Sequence, residues 1–233
     1  MPSRWTRWSV LVTTPLLVVA CNRERPPSAD TGAATPPAQT PPAAPEPGAA
    51  PEDATMRTLD THLQSARAAL GRDANAAAGE LRQAAASVRA EGERGSAESR
   101  EEMRRTADDL EALAKRVEQG AVRSENDLDR EYAQVHHALA VQSHQEAVQA
   151  WARRESASAG EHLRAASAHL EQALRNAGRE TDQGAMQAVR DARQLGDSLV
   201  AHTREAGGAA DRRLTELKNE LDRLGHELVR PRR

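Results

Sequence analysis

Residues 210–229 read ADRRLTELKNELDRLGHELV, and the spacing of their leucines decides the fold class. Leucine recurs every three or four residues, at positions 214, 217, 221, 224 and 228. This spacing places the leucines on one face of an α-helix and most charged side chains on the other. Pro231 follows and predicts the end of the helix. The stretch therefore predicts an amphipathic helix that packs against other helices.

The same spacing of Leu, Val, Met and Ala extends over residues 55–229. No proline interrupts this range, in which Ala, Leu, Gln, Arg and Glu are abundant. These residues favour helices, so the composition excludes a sheet-based fold. We expect an all-α, elongated antiparallel bundle of six to seven helices. The predicted apolar stripes begin at Met56, Ala74, Met103, Leu128, Ala159, Ala188 and Ala210.

Polar residues and glycines predict where these helices begin and end. Gly71 supplies a left-handed C-terminal residue, and Asp73 supplies a carboxylate that caps the next helix. In the fourth helix, which is predicted to end near Arg153, the apolar stripe changes face near Leu139. Further boundary signals are the Ser124/Asp127 and Ser158/Glu161 capping boxes, Thr181, and the pair Gly207-Gly208 at the end of the sixth helix.

The two halves of this region resemble each other, which suggests a two-fold internal repeat. When the chain is aligned with itself so that His62 falls on His144, similar residues come into register along the helices. A repeat predicts two helical-hairpin units and a terminal helix, whereas chance similarity between Ala-rich helices predicts no structural correspondence. The other matched pairs include Ala69 with Trp151, Leu81 with Leu163, Arg82 with Arg164, Ala84 with Ala166 and Val88 with Leu170.

The amino terminus has the pattern of a secretory signal over residues 1–20. Arg4 and Arg7 precede an apolar run over residues 9–20, which ends in a small residue, Ala20. A run of roughly 12 residues is too short to cross ~30 Å of hydrocarbon as a helix. We therefore expect an exported protein.

The end of this signal, Leu17-Val18-Val19-Ala20-Cys21, resembles the lipobox of bacterial lipoproteins, with Val18 in place of the commoner Leu. The resemblance implies that Cys21 receives a diacylglycerol and becomes the first residue after cleavage. A thiolate is the nucleophile that this reaction needs, and Cys21 is the only cysteine. The alternative is an ordinary signal cleaved after Ala20, which leaves an unpaired thiol.

Acyl chains on Cys21 would attach the protein to a membrane of the bacterial envelope. In enterobacterial lipoproteins Asp in the next position favours the inner membrane, so Asn22 favours the outer membrane. We expect a lipid-anchored periplasmic protein that contacts the membrane through Cys21.

Residues 21–54 predict a disordered, Pro- and Ala-rich linker, because residues 23–54 contain no Leu, Ile, Val or Phe with which to form a core. The linker would separate the bundle, residues 55–229, from the lipid surface; a Pro-rich ligand for a binding domain is the alternative. The tail at residues 230–233 is basic and suits a non-covalent contact with an anionic polymer.

Histidine is the only residue type that suggests ligand chemistry. No two histidines are four residues apart, and no Glu-x-x-His motif occurs. His137 and His144 share a helix face, and His144 and His202 lie on apolar stripes, so these three are candidates for a metal, haem or pH-sensing site. Ordinary histidines of the helix surface and core are the alternative. The eight are His62, His136, His137, His144, His162, His169, His202 and His226.

No other pattern predicts catalysis or nucleic-acid binding. The formal net charge is −3, from 32 basic and 35 acidic residues, and gives nucleic acid no general attraction. The chain has no Gly-rich phosphate loop and no nucleophile elbow. We therefore expect no catalytic residue and no cofactor.

The segment from Ala66 to Val88 resembles the helical hairpin of YfdX-type periplasmic proteins. The resemblance implies an all-α periplasmic protein connected with stress, which holds client proteins. Its residues are Ala66-Arg67-Ala68-Ala69-Leu70, then Asp73, Ala77, Leu81, Ala84 and Val88.

These observations favour a lipid-anchored envelope protein that acts by contact with other envelope proteins, as a scaffold, an adaptor or a stress-related holdase. The first alternative is a helical bundle that binds a metal, haem or a small apolar ligand through His137, His144 or His202. The second is a surface-active protein whose bundle opens onto lipid.

Overall fold

A computed structural model describes residues 51–122, 124–201 and 206–229. The predicted signal, Cys21, most of the linker, His202 and the basic tail lie outside these residues. The described part forms seven α-helices and contains no strand, which confirms the all-α class. The helices are α1 (Pro51–Ala69), α2 (Ala74–Gly92), α3 (Ala97–Glu118), α4 (Glu125–Ala152), α5 (Ser156–Asn176), α6 (Gln183–Val200) and α7 (Ala206–Val229).

The seven helices form two four-helix bundles that share α4. In the first bundle α1, α2, α3 and α4 surround one apolar core, and in the second α4, α5, α6 and α7 surround another. Each helix packs against the next one in the chain, and α4 closes both bundles by contacting α1 and α7. In the described part, no helix has a run long and apolar enough to cross a membrane.

Helix α4 carries two apolar stripes, one for each core. The stripe facing the first core consists mainly of large residues, whereas alanine dominates the stripe facing the second. The predicted change of face near Leu139 is confirmed, because the α4 residues of the first core end at Leu139 and most α4 residues of the second core follow it, including Val141 and Trp151. Val148, which the spacing places on the stripe, is 41 % exposed. The first stripe contains Leu128, Tyr132, Val135 and Leu139, and the second contains Ala133, Ala140, Ala147 and Ala150.

The burial pattern repeats along the chain at the offset that aligns Leu81 with Leu163. Every buried position of α2 corresponds to a buried position of α5 at this offset. The leucines and alanines that α3 and α6 bury show the same relation, as do the first-core stripe of α4 and the stripe of α7. The structure therefore contains an internal repeat. Other corresponding pairs are Ala84 with Ala166, Val88 with Leu170, Leu113 with Leu195, and Leu139 with Leu221.

Two details of the predicted repeat are wrong. Each unit consists of four helices and not of a hairpin, and α4 belongs to both units. In addition, α1 matches α4 at an offset that is one position shorter, so that Leu63 corresponds to His144 and Ala66 to Ala147. His62 with His144 and Ala69 with Trp151 are therefore not equivalent positions in the bundles.

The ends of the helices follow several of the predicted signals. Asp73 accepts a hydrogen bond from the backbone N–H of Ala76 at 2.9 Å, and Gly71 has φ +79°, as predicted. Ser124 Oγ lies 2.8 Å from Asp127 Oδ2, but it makes no hydrogen bond to the backbone of α4.

Other boundaries differ from the prediction. Helix α1 begins at Pro51, where a missing N–H costs the first turn nothing. Helix α5 begins at Ser156, before the predicted Ser158/Glu161 box. Asp182 rather than Thr181 caps α6, accepting from Ala185 N at 3.2 Å. Residues 207–208, predicted to end the sixth helix, lie in the first turn of α7.

Two glycines bring α5 and α6 into backbone contact. A Cβ atom on Gly160 would lie 2.6 Å from the carbonyl oxygen of Gly196, and one on Gly196 would lie 2.8 Å from that of Gly160. The corresponding residues of the first bundle are Ala78 and Ala114. The second bundle thus depends on a close approach that only glycine permits.

We predict that Gly160→Ala lowers the free energy of unfolding by about 1–3 kcal/mol, because its methyl group collides with a backbone oxygen. Gly79→Ala is the matched control, since a Cβ atom there meets nothing within 4 Å. It should raise the free energy of unfolding by about 0.5–1 kcal/mol through the higher helix propensity of Ala. Urea denaturation measures the free energy of unfolding of both variants, and equal changes in the two would contradict the predicted contact.

Candidate functional site

Helix α4 concentrates the polar groups that the two bundles bury. Because it contacts both cores, it has little exposed surface, and its polar side chains must find partners inside the protein. Among the residues described, it contributes four of the eight polar side chains that are buried. These four are His136, Gln142, Ser143 and His144.

Two histidines of α4 attach it to α7. His137 Nε2 lies 2.8 Å from the carbonyl oxygen of Leu221, and His144 Nε2 lies 2.9 Å from that of Leu214. The two histidines are seven residues apart on α4, and the two leucines are seven residues apart on α7, as expected for antiparallel helices in register. Gly225 makes room for the first ring, because a Cβ atom there would lie 2.9 Å from His137 Cε1.

These two imidazole rings act as contacts between helices. Burial lowers the pKa of His137 and of His144, although each hydrogen bond to a carbonyl opposes the shift. A neutral ring that donates through Nε2 satisfies both observations. Within the described ranges, no group of three or more His, Cys, Asp or Glu side chains is arranged to hold a metal ion. The third candidate, His202, lies outside those ranges.

A second histidine contact joins the two bundles on a neighbouring face of α4. His136 Nδ1 lies 3.3 Å from His169 Nδ1 of α5, and His136 Nε2 lies 3.3 Å from Asp60 Oδ1 of α1. Burial, aided by the neighbouring His136, lowers the pKa of His169 to about 3. Sequence reasoning identified both histidines by residue type only, because residues on different helices carry no common spacing signal.

The remaining described histidines have separate settings. His62 Nδ1 lies 2.8 Å from Glu80 Oε2, and His162 Nδ1 lies 3.3 Å from Glu146 Oε2. His226 is exposed and lines a cleft. No two of these three share a partner among the described contacts.

An acidic cleft of about 470 Å³ lies between α3, α4 and α7. Its apolar part includes Leu110, Val135 and Leu221, while the acidic side chains come from all three helices. Alpha-helical geometry places Gln134, which lines this cleft, about 200° around α4 from His136. The cleft and the contact between His136 and His169 therefore lie on opposite sides of α4. The acidic residues that line the cleft are Glu102, Asp109, Glu131 and Asp222.

Two of the four carboxylates of the acidic cleft are incompletely neutralised, whereas the other two pair with cations of their own helices. Glu131 Oε1 lies 3.6 Å from Arg116 Nη1, and Asp109 has no ion-pair partner in the part of the chain that the structure describes. Burial raises the pKa of Glu131; the cation of Arg116 opposes this rise, and the nearby charge of Asp109 adds to it. A cationic group entering the cleft would stabilise both carboxylates in their charged form.

Comparison with known proteins adds no family to this description. No family model matches the chain, and neither the curated proteins nor the solved structures contain a significant match. The resemblances to bacterial lipoproteins and to YfdX-type proteins stay predictions from the sequence.

We predict that acid destabilises the bundles through their neutral histidines. His169 in the folded protein has a pKa below the ~6.5 of an unfolded chain, so only the unfolded state takes up its proton as the pH falls. Its stabilising contribution is complete above pH ~6.5 and is lost as the pH falls below that value. Between pH 7 and pH 5 this one group should remove about 2 kcal/mol from the free energy of unfolding.

Urea denaturation across this pH range measures the effect. His169→Asn should lower the stability at pH 7 but make it less dependent on pH than that of the unmodified protein. An unchanged pH dependence in this variant would show that His169 does not contribute.

Proposed function

We propose that this protein is a lipid-anchored envelope protein that acts by contact with another protein, and that the acidic cleft is its contact surface. The observation that carries the proposal is the cleft itself, in which an apolar floor is combined with under-neutralised carboxylates. Such a surface complements a segment that presents both apolar and basic side chains. The partner we propose is therefore a basic, amphipathic helix of another protein.

The dimensions of the cleft suit such a segment. Its walls extend over residues 102–110 of α3, 131–138 of α4 and 221–228 of α7, or about two helical turns of each. Leu110, Val135 and Leu221, each at most 2 % exposed, would offer the partner a small apolar contact, while Asp109 and Glu131 would meet its basic side chains. The match between charges would set the orientation and speed the encounter.

The location rests on the amino-terminal sequence. The lipobox-like Leu17-Val18-Val19-Ala20-Cys21 supports attachment to a membrane, and the Pro-rich residues 23–54 support a spacer. The helical bundles would then work in the periplasm, within reach of envelope proteins. A lipid-anchored protein that acts by contact with another protein would need no catalytic group.

The alternative based on histidine ligands has less support. His137 and His144 each use Nε2 on a carbonyl of α7, and they point to partners two helical turns apart. Because two helical turns separate the rings by roughly 10 Å along α4, one metal ion or haem iron cannot take both as ligands. The acidic cleft therefore supports protein contact better than the histidines support ligand binding.

The anchor is tested by Cys21→Ala. We expect this variant to move from the membrane fraction to the soluble envelope fraction, because it cannot receive acyl chains. Asn22→Ala, which keeps the cysteine, is the matched control and should remain membrane-bound. Immunoblotting of fractionated cells measures the distribution, and full membrane retention of Cys21→Ala would contradict the proposed anchor.

The contact surface is tested by photo-crosslinking in cells. A photoreactive residue at Gln134, inside the acidic cleft, should give a discrete protein adduct, whereas one at the exposed Val148 of the same helix should give none. Adding Asp109→Asn and Glu131→Gln should reduce the adduct at least about threefold, because the cleft then loses its charge complementarity.

Circular dichroism of the charge variant should remain that of the unmodified protein, which separates loss of contact from loss of fold. Equal adducts from Gln134 and Val148, or an adduct that does not respond to the two charge changes, would contradict the proposed surface.

A further inference from the structure

A polar pocket of about 270 Å³ opens on the side of α4 opposite the acidic cleft, between α1, α4 and α5. It lies where the two bundles meet, since α1 belongs to the first and α5 to the second. Among its lining residues are Asp60, Gln64, Arg67, Tyr132, Gln172 and Asn176. Most of these side chains are polar, so the pocket suits a polar ligand.

Two hydrogen-bond donors of this pocket lack a partner within the described part of the protein. Tyr132 is 2 % exposed, and its hydroxyl group makes no hydrogen bond. Arg67 Nε is also buried without a partner, although Nη2 of the same guanidinium donates to Asp129. Arg67 Cζ lies 5.4 Å from the centre of the Tyr132 ring, so the two side chains are neighbours. Unpartnered buried donors are rare in native proteins and call for an explanation.

The two donors specify an acceptor. Burial raises the pKa of Tyr132, which keeps its phenol protonated and able to donate. A guanidinium is charged at all physiological pH values and has no acceptor atom. A carboxylate can accept from both side chains at once, and hydrogen bonds between an anion and such donors are among the strongest in proteins.

The rest of the pocket can accommodate a cation beside that carboxylate. Asp60 uses Oδ1 on His136, at 3.3 Å, and a carboxylate has a second oxygen that can accept. The charged lining residues are two arginines, Arg67 and Arg175, and two aspartates, Asp60 and Asp129. Their formal charges cancel, so a zwitterion preserves neutrality whereas a lone anion or cation does not.

We propose that this polar pocket binds a small zwitterion with the chemistry of a free amino acid. A side-chain adjustment has to uncover the Tyr132 hydroxyl and Arg67 Nε, both of which are buried; the carboxylate of the ligand then accepts from both, and its ammonium group faces Asp60. This site is separate from the acidic cleft and is independent of the proposed protein contact.

The chain offers a specific probe, because Tyr132 is its only tyrosine. Protein labelled with ¹³C at tyrosine Cζ gives one resonance, which reports directly on the phenol. Three matched compounds separate the two charges: alanine carries both, propionate lacks the ammonium group, and alaninamide lacks the carboxylate. We expect alanine to shift the resonance saturably, propionate to bind at least about tenfold more weakly, and alaninamide to give no saturable shift.

Two substitutions test the donors, with calorimetry of alanine binding as the readout. Tyr132→Phe removes only the hydroxyl oxygen and should weaken binding at least about tenfold. Arg67→Lys keeps the charge beside Asp129 but removes Nε and should have a similar effect. Arg82→Lys is the matched control, because Arg82 pairs with Glu118 at 2.8 Å on α2 and α3, and it should bind alanine normally.

Several results would overturn the proposal. One is no saturable shift with any of the three compounds, which would mean that the unpartnered hydroxyl meets only water. Another is an alaninamide response equal to that of alanine. A third is unchanged alanine binding in a folded Tyr132→Phe protein. None of these results involves the acidic cleft. The proposed protein contact is therefore tested independently, by the crosslinking experiment.

Discussion

Helix α4 has to satisfy two apolar cores at once, and the rest of the structure depends on how it does so. Large residues such as Leu139 fill the first core, and alanines such as Ala140 allow close approach in the second. A helix buried on two sides leaves few positions for solvated polar groups. Its histidines are accordingly used as contacts to carbonyls of α7 and to His169 of α5.

The same constraint creates the two concave surfaces. Because the bundles share one helix, their outer helices cannot close over it, and a groove remains on each side of α4. One groove combines Asp109 and Glu131 with an apolar floor, whereas the other contains Tyr132 and Arg67 with unpartnered donors. The surfaces differ in charge and polarity, and so they suit different partners.

The sequence predicts those features that depend on neighbours along one helix. Leucine and alanine spacing predicts the seven stripes, and the cap at Asp73 and the turn at Gly71 follow from local chemistry. The change of face in α4 near Leu139 is also visible in the spacing, because the residues of the first core end there and most residues of the second core follow. Tyr132 and Arg67 are far apart in the sequence and belong to different helices. Periodicity cannot predict such a contact, because it contains no information about which helices pack together.

Native-state hydrogen exchange of Leu81→Ala tests the shared helix most directly. Leu81 lies in the core of the first bundle only, and its truncation should cost about 2–5 kcal/mol. If α4 makes the two bundles one cooperative unit, the slowest-exchanging amides of α5, α6 and α7 will lose protection by the same free energy as those of α2. Unchanged protection in α5–α7, with loss confined to the first bundle, would contradict this account.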